Sequence, residues 1–408
     1  MSSFSIPLTG LEASSTALNT IANNLSNMNT TAFKSQNVTF SDLFYQQIGD
    51  TGAGNPLQVG AGTQVASTET SFMQGSINET GNATDVALNG QGFFVVENGG
   101  TTEYTRDGNF TLSADGSLTT QGGQQVLGYP VINGAVDTNA PLAAIQIPVG
   151  QVEQPAATTT MSMTANLDAT SAVGTQVPAQ ITIYDSLGVA HVATIDFTSQ
   201  GGGAWNYAIS LPAGDATGGA NLTGALQFDA NGNLTAPAAN VAGISFTGLS
   251  DGATDLTLNW DLYGANNKAT VTQVASASAV SATNQNGYAS GEYSGFTIDS
   301  SGVVSAEFSN GQTTAVGQLA LASITNQQGL TITAGNNYQT TLASGAASVG
   351  VAGAAGLGTI QDEALEESNV DISTQFSDLI VQQQAFDASS KAITTFDTIS
   401  QDTLNMIH

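Results

Sequence analysis

Nucleophilic catalysis of the triad type needs a histidine, and the chain has only two, His191 and His408. In a triad the imidazole takes the proton of the nucleophile while a carboxylate orients the ring. His191 lies within the alternating run 189–195, which is typical of a strand, and His408 is the last residue. Neither position indicates a triad, so the sequence predicts no catalytic histidine.

Acidic side chains are the second candidates for catalysis, because a glycosidase works with a pair of carboxyl groups. Most of the aspartates and glutamates stand in Asp-Gly turns or just before a predicted helix, as Glu363, Glu366 and Glu367 do. Solvent or the positive end of a helix dipole stabilises a carboxylate in such places. We therefore expect these three glutamates to be solvated, and we predict no catalytic carboxylate.

Asp229, Asn231 and Asn233 alternate along the chain as the oxygen ligands of a calcium loop do. A helix-flanked calcium loop also has a glutamate at its twelfth position. Here the loop is too short to reach one, and its flanks are typical of strands. The spacing therefore predicts a hairpin turn and no metal site.

Signatures of phosphate and dinucleotide binding are incomplete. Gly90 and Gly92 stand close together, but no helix opens after them as a dinucleotide fingerprint requires. Lys34 does not follow a phosphate-binding loop. The sequence therefore predicts no cofactor and no enzymatic activity.

The charge of the chain excludes several classes of partner. Four basic residues stand against 32 acidic ones, a formal net charge of −28. Such a surface repels phosphate backbones and anionic lipids, so we expect no nucleic-acid partner and no binding to anionic membranes. No apolar stretch is long enough to span a bilayer, and residues 1–10 lack the basic and apolar regions of a cleaved signal peptide. The chain contains no cysteine, which excludes disulfides.

The two ends of the chain have helical periodicity. Apolar residues recur every three or four positions near the N-terminus, and a four-three alternation of the coiled-coil type runs from about Asp371 to the C-terminus. The second helix is too long for one small domain to cover, so we expect its apolar stripe to meet helices of other subunits. The alternative is a pair of ordinary core helices in one domain. The candidate assembly residues are Leu8, Leu11, Leu18, Ile21, Leu25, Ile372, Phe376, Leu379, Phe386, Ile393 and Leu404.

The middle of the chain reads as β-structure, with short runs rich in Val, Ile, Thr and aromatic residues between Gly, Asn and Asp. Three similar segments, 110–118, 226–234 and 296–304, each place an apolar residue six positions before a glycine, which predicts strand-turn-strand units.

Changes in composition predict a domain that is inserted in another. We predict a terminal helical core domain (1–30 and 365–408), an extended connector (31–71 and 359–364), a bipartite β domain (72–146 and 283–358) and an inserted outer β domain (147–282). The predicted fold class is mainly β with α-helical termini that form a coiled-coil-like inner core.

The exit of the first helix carries the most specific motif. The run 21–34 resembles the asparagine-rich signature of the rod and hook family of bacterial flagellar axial proteins, and its motif residues are Asn23, Asn24, Asn27, Asn29, Phe33 and Lys34. Ala32 stands where the family commonly has glycine, so a positive φ is not predicted there. Blocks 88–95, 104–110 and 368–371 also resemble the family, and together the four blocks bracket the whole chain.

The resemblance implies a structural protein that builds a tube around an export channel, with the terminal helices innermost. The insertion, with its run 181–188, resembles the hook branch of the family. That resemblance implies subunits of a curved, flexible tube, which acts as a universal joint and transmits motor torque from rod to filament. The distal rod branch is the alternative; a surface adhesin and a polysaccharide-acting enzyme are less favoured. Implied partners are other copies of the chain, the rod, the hook cap, the hook–filament junction proteins and the flagellar export apparatus. The implied location is extracellular, in the flagellum.

Overall fold

The computed structural model describes residues 5–50, 56–264 and 267–406, and it confirms a mainly β chain with a helix near each end. The helices are α1, Ser5–Ser26, and α2, Ile372–Asn405. Helix α2 begins where the sequence predicts, because the Asp371 carboxylate accepts a hydrogen bond from the backbone N–H of Thr374 at 2.7 Å and so caps the first turn. A short 3-10 helix covers Gln327–Gly329.

The chain divides into two compact units. The first comprises 1–149, 296–306 and 314–408, and the second comprises 150–295 and 307–313. Strands of the first unit are Gln36–Asp42, Gln46–Asp50, Pro56–Val59, Thr63–Thr70, Ile77–Glu79, Val86–Asn89, Phe93–Asn98, Thr101–Thr105, Phe110–Leu112, Leu118–Thr120, Gln125–Ile132, Ala135–Val136, Ala143–Ala144, Leu321–Ser323, Thr331–Ile332, Asn337–Gln339, Ser348–Gly350, Thr359–Asp362 and Ala364–Glu366.

Strands of the second unit are Val152–Glu153, Thr160–Asp168, Gln176–Tyr184, Ala190–Gly201, Ala204–Ser210, Ala216–Ala220, Thr223–Phe228, Leu234–Ala236, Val241–Leu249, Leu256–Asp261, Val271–Val274 and Ala279–Gln285. Three further strands, Gly291–Ile298, Val303–Phe308 and Thr313–Leu319, carry the chain from one unit to the other. The predicted domain limits, including 147–282 for the insertion, were drawn from composition alone and stay predictions.

The second unit contains two sheets around one apolar core. Five antiparallel strands form one sheet, in the spatial order 176–184, 190–201, 204–210, 223–228 and 234–236. Six strands form the other, in which 160–168 is central and pairs with 256–261, 271–274 and 279–285. Alternate side chains of both sheets face inward. Trp205 and Trp260 are fully buried there, and Tyr207 meets Trp260 edge to face with 5.2 Å between ring centroids.

The first unit has its own core behind a sheet in which strand 93–98 is central. That strand pairs with 101–105, 125–132 and 321–323. Phe93, Tyr338 and Phe72 pack against one another on this sheet, with centroid distances of 5.4–5.8 Å.

The three repeated segments form hairpins, as the sequence predicts. Their turn glycines, Gly116, Gly232 and Gly302, have φ of 84°, 81° and 83°, a conformation that favours glycine. Segments 31–71 and 359–364 were predicted as an extended connector. They contain paired strands: 36–42 with 63–70, 46–50 with 56–59, and 359–362 with 86–89. Pairing satisfies backbone groups that an unpaired connector would leave to solvent.

Candidate assembly site

Helices α1 and α2 pack against each other in antiparallel directions. The side chain of Asn24 near the end of α1 hydrogen-bonds Gln375 near the start of α2 at 3.0 Å. At the other end of the contact, a Cβ added to Gly10 would lie 3.1 Å from Ser389 Oγ. The same number of residues separates Asn24 from Gly10 and Gln375 from Ser389, so the two helices stay in register along this contact.

The buried face of α1 consists of small and polar residues, with one larger exception. Its buried residues are Ala13, Ser14, Ala17, Ile21 and Asn24. Of the predicted α1 stripe only Ile21 is buried; Leu11, Leu18 and Leu25 are half-buried, and Leu8 is exposed. The predicted stripe is therefore displaced from the observed seam. Small side chains let two helix backbones approach closely, and the leucines flank the contact.

Helix α2 leaves most of its apolar side chains uncovered. Gln375 is the one buried residue among those described in α2, and Leu379, Phe386 and Ile393 are half-buried on the side that contacts α1. Ile372, Phe376 and Leu404 were predicted in the same stripe and are exposed. Ile380, Val381 and Ile399 are exposed as well.

Helix α2 has 34 residues against 22 in α1, so its C-terminal part continues beyond the described start of α1.

The asparagine motif ends α1 and turns the chain. Asn24 Nδ2 donates to the carbonyl of Gln36 at 2.7 Å, and Asn24 Oδ1 accepts from the N–H of Gln36 at 2.9 Å. Asn27 Nδ2 donates to the carbonyl of Asn23 at 2.9 Å, whereas Asn29 is exposed and Phe33 is half-buried.

Ala32 has a φ of 55° although the sequence did not predict a positive value. Its N–H donates to the carbonyl of Glu366 at 2.8 Å, which holds the residue in this conformation.

Lys34 of the motif forms a buried ion pair with Glu366. Lys34 Nζ lies 2.5 Å from Glu366 Oε1, and Arg106 lies 3.4 Å from Oε2 of the same carboxylate. Burial lowers the pKa of Lys34, and the Glu366 charge opposes that shift. The expectation of a solvated Glu366 is wrong, because this residue ends a strand in the core and not the first turn of a helix. Glu363 stands in a turn with φ of 50°, and Glu367 is exposed.

Asn369 joins the motif to the start of α2. Its Oδ1 accepts from the N–H of Ser35 at 2.8 Å, and its Nδ2 donates to the carbonyls of Ser71 and Met73 at 2.8 and 2.9 Å. Because Asp371 caps α2 two residues later, this network fixes where α2 leaves the β-structure. Sequence reasoning missed Arg106, Asn369 and Gln375 as individual residues; membership of the family-like blocks 104–110 and 368–371 was the available signal for the first two.

The residues considered for catalysis and metal binding lie elsewhere. His191 contacts aspartates of the second unit, and His408 lies outside the described residues. Asp229 Oδ1 accepts from the N–H groups of Asn231 and Asn233, each at 2.8 Å, so this segment is the predicted hairpin turn. None of the described helices contains a stretch apolar and long enough to cross a bilayer.

Family models match four parts of the chain. Residues 7–34 match the flagella basal body rod protein, 87–170 the flagellar hook protein FlgE/F/G D1 domain, 158–288 the flagellar basal body protein FlaE D2 domain, and 361–406 the C-terminal part of the flagellar basal body rod FlgEFG protein. The chain is 33% identical to the flagellar hook protein FlgE of Treponema pallidum over an alignment of 458 positions, gaps included, which covers 98% of each chain. It is also 33% identical to FlgE of Escherichia coli over 425 residues, 99% of each chain. The chain belongs to the flagellar hook protein family.

Family membership makes the chain a structural subunit of the flagellar hook and not an enzyme, as the sequence predicted. It also confirms an axial role in the flagellum with polymerisation of the chain. The crystal structure of Helicobacter pylori FlgE2 has the same kind of fold: it aligns with a TM-score of 0.53 at 15% identity, over 72% of this chain and 100% of that one.

Proposed function

We propose that the chain polymerises through its terminal helices into the wall of a curved, flexible hook tube that transmits torque from rod to filament. The observation that carries this proposal is that α2 exposes many of its large apolar side chains, namely Ile372, Phe376, Ile380, Val381, Ile399 and Leu404. Exposing these side chains to water is unfavourable, and covering them with helices of neighbouring copies removes that cost.

The contacts between the two chain segments next to the helices suit the transmission of force. The buried Lys34–Glu366 pair and the Asn369 network join the chain shortly after α1 to the chain shortly before α2. Force applied to either helix therefore passes into the β-structure at one anchored place. We propose that the rod, the hook cap and the hook–filament junction proteins bind the ends of the tube. We further propose that subunits reach the extracellular tube through the flagellar export apparatus.

Polar substitution of two exposed apolar residues of α2 tests the proposal. We expect Phe376→Ser combined with Ile380→Ser to leave circular dichroism and thermal unfolding of the monomer unchanged, because neither residue is buried. Electron microscopy should show no tubes under conditions in which the unmodified chain polymerises. Leu342→Ser is the matched control, since Leu342 is an exposed apolar residue of the first unit outside the helices. Normal tubes from the double variant would refute a role of these two side chains in assembly.

A further inference from the structure

A buried histidine in the second unit is surrounded by three aspartates. His191 Nε2 lies 2.9 Å from Asp185 Oδ2 and 3.6 Å from Asp251 Oδ2, and Nδ1 lies 3.2 Å from Asp215 Oδ2. The side chains of His191 and Asp185 are 4% and 0% exposed, whereas Asp251 is 22% exposed. Ligand atoms of Asp185, His191 and Asp251 all lie within 4.8 Å of one another. One side of the cluster is therefore open to solvent.

Backbone groups orient the carboxylates toward the ring. Asp185 Oδ1 accepts from the N–H groups of Leu187 and Val189 at 2.8 and 3.0 Å, and Asp251 Oδ1 accepts from the N–H of Ala253 at 3.0 Å. Each of these aspartates thus has one oxygen held by the backbone and turns its other oxygen to Nε2. These backbone hydrogen bonds fix the orientation of both carboxylates. In metal sites, hydrogen bonds to the ligands orient them in the same way.

The contact between Nδ1 and Asp215 bears on which nitrogen of the His191 ring carries a proton. If Nδ1 carries the proton and donates it to Asp215, Nε2 presents a lone pair to two carboxylate oxygens. Three acceptors then converge on one point, which is stable only with a positive charge between them. Lys268 is the one lysine or arginine in the sequence of this unit, and it lies in the loop between strands 256–261 and 271–274. The charge comes from a proton, on the ring or on one of the carboxylates, or from a cation.

We propose that Asp185, His191 and Asp251 bind a divalent metal ion of the zinc class, with Asp215 as the partner that orients the imidazole. Zinc binds imidazole nitrogen and carboxylate oxygen at about 2.0–2.2 Å, so two ligand atoms of one site lie about 3–3.6 Å apart. The separation of 3.6 Å between Nε2 and Asp251 lies within that range, and the separation of 2.9 Å between Nε2 and Asp185 lies just below it. Water would complete the coordination of the ion from the open side.

The position of the cluster indicates what the ion would do. Asp185 directly follows strand 176–184, and His191 is the second residue of strand 190–201, both in the five-stranded sheet. Asp251 lies between strands 241–249 and 256–261 of the six-stranded sheet. The ion would therefore cross-link the two sheets at one end. In a chain without cysteine, this link replaces what a disulfide would provide.

Zinc titration of the full chain after chelator treatment and dialysis tests the site. We expect isothermal titration calorimetry to show one tight Zn²⁺ site per chain and thermal unfolding to shift upward with Zn²⁺. Asp251→Asn should weaken that site at least tenfold, because it replaces a charged ligand. Asparagine keeps the acceptor oxygen for Ala253, so the variant should fold. Asp229→Asn is the matched control: it removes one carboxylate from an exposed turn of the same unit, outside the cluster.

Imidazole resonances in a nitrogen-proton correlation spectrum give an independent readout, because His191 and His408 are the two histidines of the chain. We expect one equivalent of Zn²⁺ to shift the His191 signals and to leave those of His408 unchanged. Equal zinc binding by the Asp251→Asn and Asp229→Asn variants would overturn the proposal. So would His191 signals that respond to pH and not to Zn²⁺, which would identify a proton as the occupant, and so would a site that binds Ca²⁺ but not Zn²⁺.

Discussion

Asn24 and Gln375 are hydrogen-bonded through their side-chain amides at 3.0 Å, although they are 351 positions apart. The same Asn24 side chain also exchanges two hydrogen bonds with the backbone of Gln36. One buried amide therefore joins α1, the strand that follows it and α2. This explains physically why an asparagine stands at this position of the motif.

Asn24→Ala should lower the free energy of unfolding by about 2–3 kcal/mol, since it leaves the Gln36 backbone and the Gln375 amide without their partner. Urea unfolding followed by circular dichroism measures the change. Asn29→Ala is the control, because Asn29 belongs to the same motif and is exposed. If both variants lose the same stability, the hydrogen bonds of Asn24 do not stabilise the unit.

Glu366→Gln should lower the free energy of unfolding more than Asn24→Ala does, because it leaves Lys34 and Arg106 as buried cations without their common carboxylate. Removing one partner of a buried ion pair costs about 3–5 kcal/mol. Glu367→Gln is a neighbouring substitution at an exposed residue and should change stability little. Chemical denaturation of both variants checks this, and a Glu366→Gln variant as stable as the Glu367→Gln variant would contradict it.

Asp107 should make the stability of the fold depend on pH, and the direction of that dependence can be derived. Burial raises its pKa from 3.8 to about 6. Between these values the folded state keeps a proton that the unfolded state has released, so the contribution of Asp107 to stability falls as pH rises from 3.8 to about 6. Asp107→Asn should therefore stabilise the chain by on the order of 2 kcal/mol above pH ~6.5 and have almost no effect near pH ~4.

Thermal unfolding of the Asp107→Asn variant across this pH range is the measurement. Asp115→Asn provides a control of opposite sign, because hydrogen bonds from Ser117 lower the pKa of exposed Asp115. Its carboxylate contributes stability above the unfolded pKa, and that contribution is lost as pH falls. A pH-independent effect of Asp107→Asn would show that its carboxyl group has an ordinary pKa.

Excision of most of the second unit tests its role in the curvature of the tube. Ala156 and Tyr288 exchange backbone hydrogen bonds at 3.0 and 2.9 Å, so a two-residue Asn-Gly turn can replace residues 157–287. We expect tubes that still form through the terminal helices but are straight, because lateral contacts of the removed residues are absent. Electron microscopy would show curved tubes of normal shape if the first unit alone sets the curvature.

Local sequence determined the secondary structure well. The hairpins at 110–118, 226–234 and 296–304 follow from alternation and from glycines whose φ must be positive, and the start of α2 follows from the capping aspartate Asp371. These features depend on residues a few positions apart, so their causes are visible in the sequence. The motif at 21–34 likewise identified the family before any fold was known.

Tertiary structure alone decided which side chains meet. The leucine stripe on α1 was predicted for contacts with other subunits and stays a prediction. The seam between α1 and α2 contains Ala13, Ala17 and Asn24, because the close approach of α2 favours small residues. Glu366 looked like a solvated residue near a helix start, yet it pairs with Lys34, 332 positions away. His191 acquired its three aspartates in the same way, from loops of two sheets. Periodicity fixes which residues share a face of an element, whereas the partner of that face depends on long-range packing that no local pattern encodes.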